Sequence, residues 1–376
     1  MRIVFICGSL EPGRDGVGDY TRRLSLELTK QGHHVTALAL SDGYVNRLLE
    51  EKQTIEDNDL SVLRLSASIP LNERTARTKA WITKHNPDWL SLQFVPFSFN
   101  QKGLPFYLPA FLKEVSKGKS WHIMFHELWV GMDSSASIKH LTWGWLQKRL
   151  LIKLVKELAP SVVHTHVNLY QLLLKQAGIP VKILPLFGNI TLNEETKNAR
   201  LSALHTKNRN RISLVHFGNI HDGAPIEDFA NEASVFAHKM DIKIFLLLVG
   251  RYGQEGNRWS EIWKAQGLDV ELLGEQRPSV ISKVFLGSSF GLSSTPFALL
   301  QKSGSVAAMR EHGLPVICVS RVWKPRKSSD VIQFENVEEY VKGSIEKCFA
   351  MKSVKENRNC ITSVAAQFLQ TIILKN

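Results

Sequence analysis

Cysteine is scarce in this 376-residue sequence, and the four present, Cys7, Cys318, Cys348 and Cys360, form no pair with metal-finger spacing and cannot make a disulfide scaffold. A reducing compartment is therefore expected, and the cytoplasm is the expected location. Long apolar runs are missing as well. The longest obvious one, Ile244–Val249, falls far below the roughly 18 residues of a spanning helix. Met1–Cys7 is too short for a signal-peptide core, so membrane contact is expected only at the periphery, on the inner face of the plasma membrane. Glycine (24) and proline (14) are at ordinary levels, which excludes collagen-like and low-complexity classes. Acidic side chains are in the minority, 35 Asp and Glu against 47 Lys and Arg, and the formal charge of +12 favours phosphates, nucleic acid or an anionic membrane surface. No helix-turn-helix, zinc or aromatic-and-basic sheet signature accompanies that charge, so no nucleic-acid partner is expected.

At roughly 150 residues per domain, the length points to two domains. The first half alternates RIVFIC, a helix from about Asp19 to Gln31, HVTALAL, WLSLQF, WHIMF and SVVHT. Apolar runs rich in β-branched and aromatic residues, separated by helix-length segments, argue for βα units on a mainly parallel sheet. Leu186–Asn210 is polar and lacks a strand signal, as a linker does. A second series follows, with RISLVHFGNI, KIFLLLVG, VELLG, FGLS and PVICVS as strands, and Val337–Leu374 is helical in pattern. The expected architecture is α/β: residues 1–188 and 189–353 as two Rossmann-like βα domains with parallel sheets facing a central cleft, and a terminal helix, 354–376, packing back on the first.

Three places carry candidate chemistry. The loop Gly8–Asp19 holds Gly13, Gly16 and Gly18 ahead of a helix, and bare amides at a helix start suit a pyrophosphate. Neither GxGxxG nor a phosphate-loop GKS/GKT is present, and a plain turn with Asp19 as N-cap is the alternative. Lys302, Ser303, Gly304 and Ser305 precede a helical stretch that stops at Gly313. A cation, two hydroxyls and helix-start amides make a phosphate cradle, worth roughly 0.3–1 kcal/mol from the helix dipole; the alternative is an ordinary capped helix with a solvated lysine. His126 and Glu127 follow the strand WHIMF, where side chains emerge at the carboxyl edge of a parallel sheet and can meet a ligand; a satisfied structural histidine is the alternative.

Further basic residues stand at strand ends, Arg251 in LVGRYG and Arg277 in LLGEQRP. His164 and His166 are read as pointing to opposite faces of a strand, and no zinc site is expected. Leu141–Leu158 combines Trp143 and Trp145 with Lys148, Arg149, Lys153 and Lys156. Such a helix either covers a sheet or lies on an anionic bilayer.

In order, GSLEPGRDGVGDYTRRLSLELTKQGHHV, PDWLSLQFVPFSF, FHELWVG and STPFALLQKSGSVAAMREHGLPVI resemble nucleotide-sugar glycosyltransferases of the GT-B class, nearest the large family four. The resemblance covers nearly the whole chain. It implies a donor nucleotide held mostly by the second domain and an acceptor bound by the first. Position by position, it implies that Gly16, Val17 and Gly18 face the donor phosphates, that His126, with Glu127 beside it, touches the donor sugar, and that Lys302, Ser303, Gly304 and Ser305 hold the diphosphate. Asn219, Arg251 and Thr295 complete the implied donor set. Two departures stand out. Leu300 and Ala308 occupy the positions of the family's paired glutamates, and FGNIHDGAP, with Asn219 and Asp222, replaces its diphosphate-neutralising Arg and Lys.

Lys302 thereby becomes the expected counter-charge to the leaving diphosphate, with no metal and no cofactor. The implied function is transfer of a hexose, glucose as the best guess, from a UDP-sugar to a saccharide or lipid-linked acceptor in envelope or exopolysaccharide synthesis, with retention at the anomeric carbon. A nucleotide-sugar epimerase or hydrolase of the same fold, or a non-catalytic nucleotide-binding relative, are the alternatives.

Overall fold

The computed structural model describes residues 1–55, 58–116, 118–192, 210–326, 334–352 and 360–374. The chain divides into two compact units, Met1–Pro185 with Pro325–Ser328 and Ile361–Asn376, and Leu186–Lys324 with Ser329–Cys360. The expected linker Leu186–Asn210 lies largely outside the described residues.

In the first unit the strands are β1 (Arg2–Cys7), β2 (His34–Asp42), β3 (Leu49–Ile55), β4 (Asn58–Ser66), β5 (Trp89–Phe94), β6 (Ser120–Phe125), β7 (Val162–Thr165) and β8 (Lys182–Ile183). The helices are α1 (Gly16–Lys30), α2 (Leu71–His85), α3 (Pro96–Phe99), α4 (Leu108–Val115), α5 (Ile138–Leu158) and α6 (Asn168–Gln176). The sheet runs β3-β4-β2-β1-β5-β6-β7-β8. All neighbours are parallel except β3 and β4. Every residue of β5 is buried, as befits a strand covered by helices on both faces.

The β3–β4 hairpin was not among the expected strands. LEEKQTI exposes alternate polar residues, and a charged edge strand discourages pairing with another chain while giving little apolar signal. The C-terminal helix Ile361–Ile373 buries Val364, Ala365, Phe368 and Ile372 on one face, and the Phe368 ring lies 5.9 Å from Phe5 and 4.9 Å from His122.

The second unit carries β9 (Arg211–Phe217), β10 (Lys243–Val249), β11 (Asp269–Gly274), β12 (Phe290–Ser293), β13 (Val316–Cys318) and β14 (Val337–Glu339), with helices α7 (Ile226–Met240), α8 (Gly253–Ala265), α9 (Pro278–Gly287), α10 (Gly304–Glu311) and α11 (Ile345–Phe349). Its sheet is parallel throughout, in the order β11-β10-β9-β12-β13-β14. This is the doubly wound Rossmann order, which reverses between β9 and β12 and opens a crevice at their carboxyl ends. Phe229, Trp259 and Trp263 fill the core on one side. Gly218 (φ +92°) and Gly250 (φ +95°) turn the chain out of β9 and β10, a conformation open to glycine.

The helical reading of Val337–Leu374 is corrected here. It begins with β14, which pairs in register with β13, continues through the short helix α11, and leaves residues 353–359 outside the described set. A three-residue strand is too short to impose a period of two on the sequence.

Candidate active site

In the second unit, side chains converge where the crevice is expected. The β9 strand runs into Gly218-Asn219-Ile220-His221-Asp222, and the His221 amide donates to Ser294 Oγ at 2.9 Å, tying this loop to the end of β12. Partial desolvation lowers the His221 pKa, and the charges of Lys302 and Arg321 press it the same way while Asp222 opposes them. Lys302 and Arg321 are therefore near enough to His221 for their charges to act on it.

Lys302 ends a short 3₁₀ helix, Phe297–Lys302, and Ser303 caps α10, its Oγ accepting from the Val306 amide at 3.4 Å and lying 3.0 Å from Ser305 Oγ. An added Cβ on Gly304 meets nothing within 4 Å, and the first amides of α10 have no acceptor inside the helix. Thr295 is tethered through its amide to Ser293 Oγ at 3.2 Å, and its carbonyl accepts from Cys318 Sγ at 3.1 Å.

The structure thus gathers Lys302, Ser303, Gly304, Ser305, Thr295 and the exposed Asn219 on one edge of one sheet. It adds His221 and Arg321, which sequence reasoning missed although each follows a strand by three or four residues. Arg251 differs from expectation. Its guanidinium makes a forked contact with Glu275, at 2.6 and 3.0 Å, so its charge is already met by a carboxylate one residue past β11. Arg277 stands at the N-cap position of α9. Leu300 and Ala308 are buried in the apolar core with Val306 and Met309.

In the first unit, the glycine loop is occupied by its own chain. The helix α1 starts at Gly16, not Asp19, and its cap is Asp15, whose Oδ1 accepts from Val17 N at 2.8 Å and Gly18 N at 2.7 Å. Asp19 instead accepts from the Gly13 amide at 3.0 Å. The amides expected to face phosphate are thus satisfied by a carboxylate, itself pushed up in pKa by burial. Gly18 is needed for packing: a Cβ there would lie 2.6 Å from the Ser9 carbonyl oxygen. The loop is further held by buried Asp42, which accepts from Ser9 Oγ and the Leu10 amide at 3.1 Å each and from Arg64 Nε at 2.7 Å. Arg64 also pairs with Glu11.

His126 lies at the carboxyl end of β6, almost fully buried, with both ring nitrogens engaged: Nε2 is 2.8 Å from the Gln93 amide and Nδ1 is 3.0 Å from His166 Nε2. His166 Nδ1 meets the Leu184 carbonyl at 2.8 Å. Gln93 contacts Ser91 Oγ at 2.8 Å, Ser91 contacts His122 Nδ1 at 2.8 Å, and His122 Nε2 contacts His164 Nδ1 at 3.0 Å. His164 and His166 therefore do not diverge as expected. Residues two apart on a strand return to the same face, and each meets a histidine of or just past β6.

Burial holds all four rings neutral. It pushes His122 and His126 well down, His166 to about 4 and His164 to about 3. Glu127 follows His126 and is half-buried. Among the described residues, no three His, Cys, Asp or Glu side chains are grouped to hold a metal ion.

No protein-family model and no curated protein matches the sequence. Solved structures do match. Anabaena HepE, in complex with UDP and glucose, aligns over 99% of this chain and 99% of its own with a TM-score of 0.61 at 14% identity. The lipopolysaccharide outer core galactosyltransferase WaaB aligns over 100% of both chains with a TM-score of 0.58, also at 14% identity. The fold is GT-B. It is shared by UDP-GlcNAc 2-epimerase from Neisseria meningitidis, bound to UDP-GlcNAc, which aligns over 100% of both chains at 11% identity and a TM-score of 0.54. No helix among the described residues is long and apolar enough to cross a membrane.

Proposed function

We propose that this GT-B chain is a glycosyltransferase that moves glucose or another hexose from a UDP-sugar to a saccharide or lipid-linked acceptor in envelope or exopolysaccharide synthesis, with retention. The observation that carries the proposal is the cationic group Lys302 and Arg321, with His221 and the start of α10, at the β9/β12 reversal of the second unit. Charge growing on a leaving diphosphate is stabilised by fixed cations and helix-start amides in a partly desolvated site. Ser303, Ser305 and Thr295 supply hydroxyls for phosphate or sugar, and in the first unit His126 and Glu127 are the proposed sugar contacts. The HepE complex with UDP and glucose and the galactosyltransferase WaaB support this choice of substrate class.

An anionic membrane surface on the inner face of the plasma membrane is the proposed setting. The outer stripe of α5, Ile138, Trp145, Arg149, Lys153 and Lys156, is exposed, and Arg149 stacks over the Trp145 ring at 5.2 Å. Cations interleaved with exposed apolar side chains suit acidic headgroups.

The epimerase is the second reading, because UDP-GlcNAc 2-epimerases share the fold. Incubation with UDP-, GDP- and ADP-sugars, followed by NMR of the released sugar, separates the readings. Transfer to, or release of, an unaltered sugar supports the transferase, and an inverted ring carbon supports the epimerase. UDP failing to raise the melting temperature at millimolar concentration would refute both.

A further inference from the structure

Six hydrogen bonds link His164, His122, Ser91, Gln93, His126, His166 and the Leu184 carbonyl into one buried chain. Its protons can be counted from one end. A carbonyl oxygen only accepts, so His166 carries its proton on Nδ1. Each neutral imidazole has a single N–H, which leaves His166 Nε2 bare, and the proton between the two rings must come from His126 Nδ1. His126 Nε2 is then bare too. The group opposite it must donate, so Gln93 turns its NH₂ toward His126 and its oxygen toward Ser91, an exchange of amide ends within the same positions. Ser91 donates to Gln93, His122 Nδ1 donates to Ser91, and His164 Nδ1 donates to His122 Nε2. Every link then holds one proton and no ring is charged.

We propose that His166 and Gln93 are positioning residues that fix His126 as its Nδ1–H tautomer, so that what His126 offers a ligand is a bare Nε2, an acceptor. The proposal rests on the reading of His126 as a donor-sugar contact. In the resting protein the Gln93 amide covers Nε2, and a sugar hydroxyl donating to Nε2 takes its place. His126 acts as a recognition group and cannot serve as an acid from that atom.

The groups that face His126 are His122 on its own strand, His166 past β7, and Tyr20 on α1, whose ring meets His126 edge-on at 5.0 Å and His166 at 5.2 Å. The charges that act on His126 are those of His166 and His122, so no carboxylate draws a second proton onto the ring.

Full-length protein labelled with ¹⁵N-histidine, observed by two-bond ¹H–¹⁵N correlation between pH 8 and 5.5, tests this, the His126 signals being assigned by their loss in His126→Gln. A protonated Nδ1 and a bare Nε2 across the range are expected. A proton on Nε2, or a doubly protonated ring at pH 7, would overturn the proposal.

In Gln93→Glu the neighbour only accepts, so Nε2 must gain a proton while Nδ1 stays committed to His166. The pH at which His126 titrates should rise by roughly 1–3 units, and an unchanged titration would refute the contact of residue 93 with Nε2 on which the assignment rests. If that variant does not fold, the wild-type spectrum decides. Added UDP-glucose should move the Nε2 signal and leave Nδ1–H in place, and Nε2 gaining a proton in that complex would overturn the proposal. The ligand-free spectrum needs no donor, so failure of all nucleotide-sugar binding would refute the functional reading and leave the tautomer standing.

Discussion

Lowering the pH from 7.5 to 5 should unfold the first unit before the second. A histidine whose folded pKa lies below its unfolded value of about 6.5 is neutral in the native state while the unfolded chain already binds a proton. Its stabilising contribution is therefore present above pH 6.5 and is lost as pH falls toward the folded pKa. At pH 5 the solution is about 1.5 units below the unfolded value, so each such ring costs about 2 kcal/mol at 1.36 kcal/mol per unit.

His166, held to about 4, and His164, held to about 3, together remove about 4 kcal/mol from the first unit, and His122 and His126 act in the same direction. The second unit has His216, held to about 3 beside Trp259, and loses about 2 kcal/mol from it, with the partly desolvated His221 acting in the same direction. Against a total stability of about 5–15 kcal/mol, the first unit approaches its threshold, and its melting temperature should fall by roughly 8–16 °C. Asp42, lowered by its bonds from Arg64, Leu10 and Tyr44, matters only below about pH 4, outside this window.

Calorimetry at steps of pH resolves the two transitions. His166→Asn should remove about one proton from the uptake on unfolding between pH 6.5 and 5. A first transition flat across that range, or a slope unchanged in His166→Asn, would refute the assignment of these rings as buried and neutral.

Lys302→Ala should reduce turnover at least roughly tenfold, about 1.4 kcal/mol of transition-state stabilisation, without lowering the melting temperature; unchanged turnover removes Lys302 from the mechanism. Gly18→Ala should destabilise the first unit by roughly 1–3 kcal/mol, because its Cβ has no room beside the Ser9 carbonyl; a chemical-denaturation midpoint equal to wild type would contradict that packing. Trp145→Ala and Arg149→Glu should each weaken co-sedimentation with acidic liposomes at low salt, and wild-type protein that stays in the supernatant ends the membrane proposal.

Much of the fold was legible because its signals are local. Buried strands such as β1 and β10 are apolar after their first residue, β5 and β6 are mostly apolar around Ser91, Gln93 and His122, and alternation with helices dictates a parallel sheet. The Lys302–Ser305 segment was legible for the same reason, since a cap and a helix start are written in neighbouring residues. The misses are non-local. The edge strand β3 is polar because one face meets water, and β14 is too short to show a period.

Sequence by itself determined the two βα series, the helix start at Ser303 and Gly304 and the placement of His126 at a strand end. Only tertiary structure decided what these groups meet. It set Glu275 on Arg251, and Gln93 and His166 on the two nitrogens of His126. It also brought His221 and Arg321 to the neighbourhood of Lys302. The physical reason is that a hydrogen bond or charge contact depends on distances of a few ångströms between residues tens of positions apart, and no periodicity in the sequence encodes those distances.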